Sequence, residues 1–453
     1  MVFKVSKLLS LAFLSVMMVF LAACGSGNKS SSESASATVS PNASEAVVEQ
    51  SDAPKVTLKL YGQQNSQELK EVYNMATEAM KKKMPNVEIE FDAQPANDDG
   101  TKLKTYAASG QLPDIFVATS ADIEVLKKSN NILTLDSYIK DLKVEDQLND
   151  TGKLLVWDKD GHSYSMPNEG PWLATFYINK KVFADAGVAI PTNFDEFLEA
   201  VKTFKSKDII PLALFGSQPW PGQQLFDALV VKSGESRGLL KVNDGEADFS
   251  PQAYQMAAAK MFQLVNAGLL SKDAFSTDYN MAESLLQNGK AAMMLSGGFT
   301  MSDFAKTMPG NYDIIWLPLE DKAQTGLYKD NASGGGFNQG FSVSANSKYK
   351  DIAAQYAVQY ALEYSRAKTY LNGAPNGILK DTPQPQNPWD EVQQKYVAEF
   401  GEFKTVTSFP WGLTDAKFSI AYGNNTQKML AKGYKSSDDY IAEMNKAIAD
   451  IRK

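Results

Sequence analysis

From Lys55 onward the spacing of apolar residues switches repeatedly between two periods. In "VTLKLYG" (56–62) apolar and polar residues alternate, the pattern of a half-buried strand. The next stretch, "SQELKEVYNMATEAMKKKMP", spaces Leu69, Val72, Tyr73, Ala76 and Met80 along one helix face. Ser66 stands where a helix N-cap belongs, and Pro85 lies just past the end. "VEIEFD" returns to strand, a helix is predicted over 101–109, and "DIFVA" is an apolar strand. Further on, "IPTNFDEFLEAVKTFKSKDIIPLALFG" predicts a helix with Phe194, Phe197, Leu198, Val201 and Phe204 inward. Thr192 and Asp195 are spaced as its capping box, and "PLALF" follows as a buried strand.

Residues 250–310 have mostly helical spacing, broken at Gly289 and at Gly297-Gly298. "YDIIWLPL" and "GFSVSA" are strand-like, "KDIAAQYAVQYALEYSRAKTYL" is a long amphipathic helix, and a last helix is expected over 437–451. Alternating strands and helices of this kind predict a layered α/β fold. There is no internal repeat.

The N-terminus obeys a different pattern. Lys4 and Lys7 precede an apolar run from Leu8 to Ala23, closed by "LAAC". A basic start, a short apolar core and small residues at its end predict a secretory signal, not a spanning helix. "LAAC" resembles the bacterial lipobox, which implies cleavage before Cys24 and a diacylglyceryl group on its sulfur. Residues 24–53 are rich in serine and lack aromatics, so the lipidated cysteine and a disordered tether are expected there. A flexible coil of 29 residues (25–53) averages roughly 30 Å end to end.

Charge and composition then narrow the chemistry. Without residues 1–23 the chain keeps 43 Lys+Arg against 53 Asp+Glu, a net charge of −10. That disfavours nucleic acid, whose phosphates call for clustered cations. Cys24 is the only cysteine, so no internal disulfide forms and the folded part relies on its cores. One histidine, His162, makes an ordinary zinc site or a Ser-His-Asp triad a poor reading; it flanks an Asp-Lys-Asp-Gly turn that joins two short strands. "SGGGFNQG" lacks the Lys-Ser/Thr pair of a phosphate loop, and a tight backbone turn accounts for it better.

Four stretches, in order, resemble the family 1 extracellular solute-binding proteins, the carbohydrate-capturing subunits of ABC importers that include maltose-binding protein. They are "AASGQLPDIFVATSADIEVLKKSNNILTLDSYI", "HSYSMPNEGPWLATFYINKKVFADAGVAIPTNFDEFLEAVKTFKSKDIIPLAL", "FSTDYNMAESLLQNGKAAMMLSGGFT" and "GGGFNQGFSVSANSKYKDIAAQYAVQYAL". The resemblance spans about 56–451. It implies a two-lobe periplasmic-binding-protein-like fold of type II, with three crossing segments as a hinge. On that basis crossings are expected near Pro167–Gly170, Pro309–Tyr312 and Asn372–Pro375. Lobe 1 is then 54–168 plus 311–371, and lobe 2 is 169–310 plus 372–453.

In open α/β sheets, ligands sit beyond the carboxyl ends of the strands. That rule selects Gln63, Gln64 and Asn65, then Thr119, Ser120 and Asp122, then Asn168, Glu169 and Trp172 at the first crossing. It also selects Gln218 and Trp220, Phe299, Phe337 and Asn338, and Phe409 and Trp411. Trp157 and Trp316, in apolar stretches, are expected in the core. Aromatic rings pack on the C–H face of a pyranose, and amide or carboxylate side chains match its hydroxyl rim. The expected function is therefore an extracellular, membrane-anchored receptor, a monomer without catalysis or cofactor. It would deliver a sugar or oligosaccharide to the permease subunits of an ABC importer, in a Gram-positive setting. The alternatives are a receptor for a non-sugar solute and a secreted carbohydrate-active enzyme using two carboxylates.

Overall fold

The computed structural model describes residues 54–64, 66–95, 101–336, 340–375, 377–409 and 412–453. Residues 51–453 form one compact unit. Its strands are β1 (Val56–Gln63), β2 (Val87–Gln94), β3 (Ile115–Ala118), β4 (Met166–Pro167), β5 (Trp172–Asn179), β6 (Ile210–Leu212), β7 (Ala291–Gly297), β8 (Tyr312–Ile315), β9 (Asn331–Ala332), β10 (Gly334–Gly336), β11 (Gly340–Val343) and β12 (Thr405–Val406).

The first sheet has the order β2-β1-β3-β11-β4. β1 runs parallel to both neighbours, and β11 runs antiparallel to β3 and β4. The alternation in β1 is used as the pattern demands: Val56, Leu58 and Leu60 are buried, while Thr57 and Lys59 are exposed. α1 (Gln67–Lys83) follows, its N-terminus capped by Ser66, which accepts from the Leu69 amide at 3.1 Å. Its face of Val72, Tyr73, Ala76 and Met80 is buried against the sheet and against the helix Lys350–Asn372.

The second sheet has the order β10-β5-β7-β6, with β8 also paired to β5. β5 and β7 are buried along their whole length because helices cover both faces. The helix Phe194–Ser206 is capped by Asn193, which accepts from the Glu196 amide at 3.1 Å. Glu196 in turn accepts from the Thr192 amide and hydroxyl. The cap therefore lies one residue beyond the Thr192–Asp195 pair read from the sequence, and contributes about 1 kcal/mol.

Three expectations are corrected. Between Gly289 and Gly297 the chain is β7, not helix: its small and flexible residues, "AAMMLSG", fill the centre of a sheet with no exposed face to create alternation. The second crossing does not lie at Pro309–Tyr312. Gly310 (φ +70°) makes an ordinary turn, and β8, β9 and β10 all stay with the second half. The chain passes to the first sheet only between Gly336 and Gly340. The third crossing is displaced as well. Gly373 (φ +60°) ends the long helix, but Ile378 and Leu379 remain buried in the first core and Leu379 bridges Leu148. Passage to the second half comes before Asp390, whose carboxylate accepts from the Tyr312 hydroxyl at 2.7 Å. The passage out of β4 into β5 spans Asn168–Pro171.

Candidate functional site

At the first sheet, Gln63 ends β1 opposite Gln94, and Gln64 follows it, both half-buried. Ser120 opens the helix Ser120–Lys128 directly after β3. Asp122 is buried and its Oδ2 accepts from the Thr119 amide (3.1 Å) and hydroxyl (2.7 Å), completing a capping box. Its carboxylate is thus engaged in holding the helix start. In the first crossing Asn168 is only 4% exposed, and its Oδ1 has no hydrogen-bond donor. Glu169 pairs with Lys368 of the long first-half helix.

The second sheet gathers aromatic rings. Trp172 begins β5, Trp220 begins the helix Trp220–Val231, and Phe299 sits in the turn after β7. Trp172 meets Phe299 edge-on at 5.3 Å and Trp220 at 6.2 Å. Phe215 and Tyr279 extend the cluster, at 4.9 Å from Trp220 and 6.3 Å from Phe299 respectively. The Trp220 indole N–H donates to Gln218 at 2.7 Å, which assigns Gln218 to orienting that ring. Gly297 is required here for space: a Cβ would lie 2.3 Å from Trp172 and 2.6 Å from Phe299. Edge-on packing of this kind holds each ring in one orientation.

A cleft of about 700 Å³ opens between walls from both halves. Ser120, Leu154, Trp157, Tyr164 and Ser165 belong to the first wall, and Arg237, Leu240, Asp244, Ser408 and Thr414 to the second. Of the charges on these walls, Glu124, Asp158, Arg237 and Asp244 are paired within their own wall, while Lys159 forms no ion pair among the described residues. Arg237 bridges Asp244 and Glu246 at 2.5 Å each. Lys127, 4.6 Å over the Tyr164 ring, contacts Glu124, Asp158 and Asp160, whose carboxylates hold its ammonium well above the ordinary lysine range.

Comparison with known proteins adds the family. The profile of the bacterial extracellular solute-binding proteins matches residues 64–363. The chain belongs to that family. A "Multiple sugar-binding protein" of Streptococcus mutans is 23% identical over 417 residues, covering 89% of this chain and 93% of the relative. A "Probable sugar-binding periplasmic protein" of Mesorhizobium japonicum is 24% identical, covering 67% of this chain and 75% of the relative. Among solved structures, a "Chitin oligosaccharide binding protein" superposes with a TM-score of 0.76 at 21% identity, covering 88% of this chain and 99% of that one. The two-lobe α/β architecture is the one these solute-binding proteins share.

Of the residues selected by the strand-end rule, Trp172, Trp220 and Phe299 come together in one cluster, and Ser120 lies on the cleft wall. Phe409 is fully buried in the second core. Cys24, Asn65, Phe337, Asn338 and Trp411 lie outside the described residues. Trp157, expected in the core, caps the helix Asp150–Val156 and packs half-buried against the first core, and it also lines the cleft. The charged neighbours Asp158 and Lys159 were the available signal. Nothing in the spacing marked Arg237, Ser408 or Tyr164, because they meet only through the tertiary fold. His162 is exposed, and its ring bonds Asp136 at 2.7 Å, which raises its pKa. Helix, not strand, precedes its turn. Among the described residues, no three His, Cys, Asp or Glu are grouped to hold a metal ion, and no helix is long and apolar enough to cross a membrane.

Proposed function

We propose that this solute-binding protein is the receptor subunit of an ABC importer and that its cargo is a neutral oligosaccharide. The carrying observation is the cleft walled by both halves, with most of its charges already paired; the second half also holds an oriented set of aromatic rings. A neutral, hydroxyl-rich ligand suits such a surface: rings pack on its C–H faces, and buried acceptors such as Asn168 Oδ1 take its hydroxyl protons. A phosphorylated ligand would call for a cluster of uncommitted cations, and among the described lining residues Lys159 alone is one. Relatives named for multiple sugars and for chitin oligosaccharides support the same reading.

Ligand touching both walls favours the closed arrangement by its differential affinity, with the three crossings as the hinge. The closed form then meets the permease as a monomer, and no bond of the cargo is broken. Titration calorimetry of residues 54–453 against mono- and oligosaccharides tests this. Binding at about micromolar Kd or tighter is expected, with the sugar recovered intact. No binding across the panel, or cleaved product, would overturn it.

For location, the lipobox-like "LAAC" supports an anchor at Cys24 on the outer face of the cell membrane, as in a Gram-positive cell, with residues 25–53 as tether. Mass spectrometry of the chain recovered from its host's membranes is expected to show a lipid-bearing N-terminal Cys24. An N-terminus elsewhere refutes the anchor.

A further inference from the structure

One fully buried carboxylate is tied to both segments that build the second wall of the cleft. Asp227 lies in the helix Trp220–Val231 at 0% exposure. Its Oδ1 accepts from the Leu239 amide at 2.9 Å, and its Oδ2 accepts from the hydroxyls of Ser333 (2.6 Å) and Thr407 (2.7 Å). Each hydroxyl is itself an acceptor. Thr407 Oγ1 takes the Gly334 amide at 3.1 Å, and Ser333 Oγ takes the Gln224 carboxamide. Gly238, at φ +53°, lets the chain pass so close that a Cβ there would lie 2.2 Å from Asp227 Oδ1.

The segments so tied have defined neighbours. Leu239 stands between Arg237 and Leu240, both on the cleft wall, and Thr407 immediately precedes Ser408 on the same wall. Gly334 begins β10, the last strand of the second half before the chain passes to the first sheet. Burying this carboxylate is costly, and burial raises its pKa against three hydrogen bonds that lower it. An apolar side chain would fill the same place without that cost. What an apolar residue cannot do is fix two loops and a strand at set positions through directional bonds.

We propose that Asp227 is a positioning residue for ligand binding: it sets the 237–240 and 407–408 walls of the cleft and joins them to the crossing strand β10. The proposal rests on the reading of this cleft as the cargo site.

Thr407→Val removes the hydroxyl that links Asp227 to Gly334 at nearly constant volume, and Thr407→Ser restores it. Amide exchange of the unliganded full unit reads the positioning without any ligand. Exchange at Gly334 is expected to be about tenfold faster in Thr407→Val and close to wild type in Thr407→Ser. Sugar affinity, measured well below the melting temperature so that all protein is folded, is expected to fall about tenfold in Thr407→Val and to recover in Thr407→Ser. Asp227→Asn, which turns an acceptor toward hydroxyls into a donor, is expected to match Thr407→Val in both readouts. Unchanged exchange at Gly334 would overturn the proposal. So would faster exchange with affinity within twofold of wild type, which would leave Asp227 a stability residue only. A wild-type protein that binds no carbohydrate would defeat the sugar reading, and the exchange result would still decide whether Asp227 positions these walls.

Discussion

Phe299→Ala is expected to weaken oligosaccharide binding about a hundredfold, roughly 2.7 kcal/mol, while costing the fold little. The ring is 38% exposed, so its removal uncovers limited apolar surface. Its orientation is nevertheless set on two sides, by Trp172 edge-on at 5.3 Å and by Tyr279 at 6.3 Å with a 37° tilt. An exposed aromatic ring held rigid before ligand arrives loses little entropy on binding, which is how a few anchors come to dominate an affinity. Trp172→Ala is the informative contrast. That ring is 9% exposed and belongs to the second core, so its loss should lower the melting temperature and the affinity together. Calorimetric titration beside thermal unfolding separates the two. An affinity for Phe299→Ala within threefold of wild type would mean that the ligand does not rest on this ring.

The contrast between these two rings also shows what was legible in the sequence. Elements with one wet face carried their own signal. β1 alternates because Lys59 and Thr57 face water, and α1 shows its buried face because the opposite face is lysine-rich. β7 carried no such signal, since a strand buried on both faces has no alternation and its alanines and methionines suit a helix equally. The crossings failed for a related reason. Proline and glycine mark turns, and Pro309-Gly310 is a turn, but whether a turn changes sheets is decided by strand pairing far along the chain. The strand-end rule and the first crossing selected Trp172, Trp220 and Phe299, which the fold brings into one cluster, because the positions where loops leave a sheet follow from local pattern. Cleft residues from mid-loop or helix, such as Tyr164 and Arg237, had no local mark.

Glu283→Gln is expected to stabilise the protein at pH 8 and to do so far less at pH 5. Glu283 lies in the helix Tyr279–Gln287, and its Oε1 is buried without a hydrogen-bond donor. Burial, with Asp303 and Glu68 close by, pushes its pKa up to about 7 against the hydrogen bond from Tyr279. Asp303, on the helix Met301–Thr307, is itself raised to about 6 by burial and by Glu68. Among the described residues, the cation beside this cluster is Lys306, which pairs with Glu68 of α1 at 2.6 Å and lowers the pKa of Asp303. The unfolded chain releases the Glu283 proton near 4.5, so between about pH 4.5 and 7 the folded chain holds more protons. Stability therefore falls as pH rises through that window, and above it the full cost of the buried charge is present. Glutamine has the same shape and no charge at any pH. The gap between variant and wild type should thus be on the order of 2–3 kcal/mol at pH 8 and shrink below about 1 kcal/mol at pH 5. Urea unfolding at the two pH values measures it. Equal gaps would mean that Glu283 ionises in the folded chain as readily as in water, and that the carboxylate cluster between α1 and the helix Met301–Thr307 is hydrated.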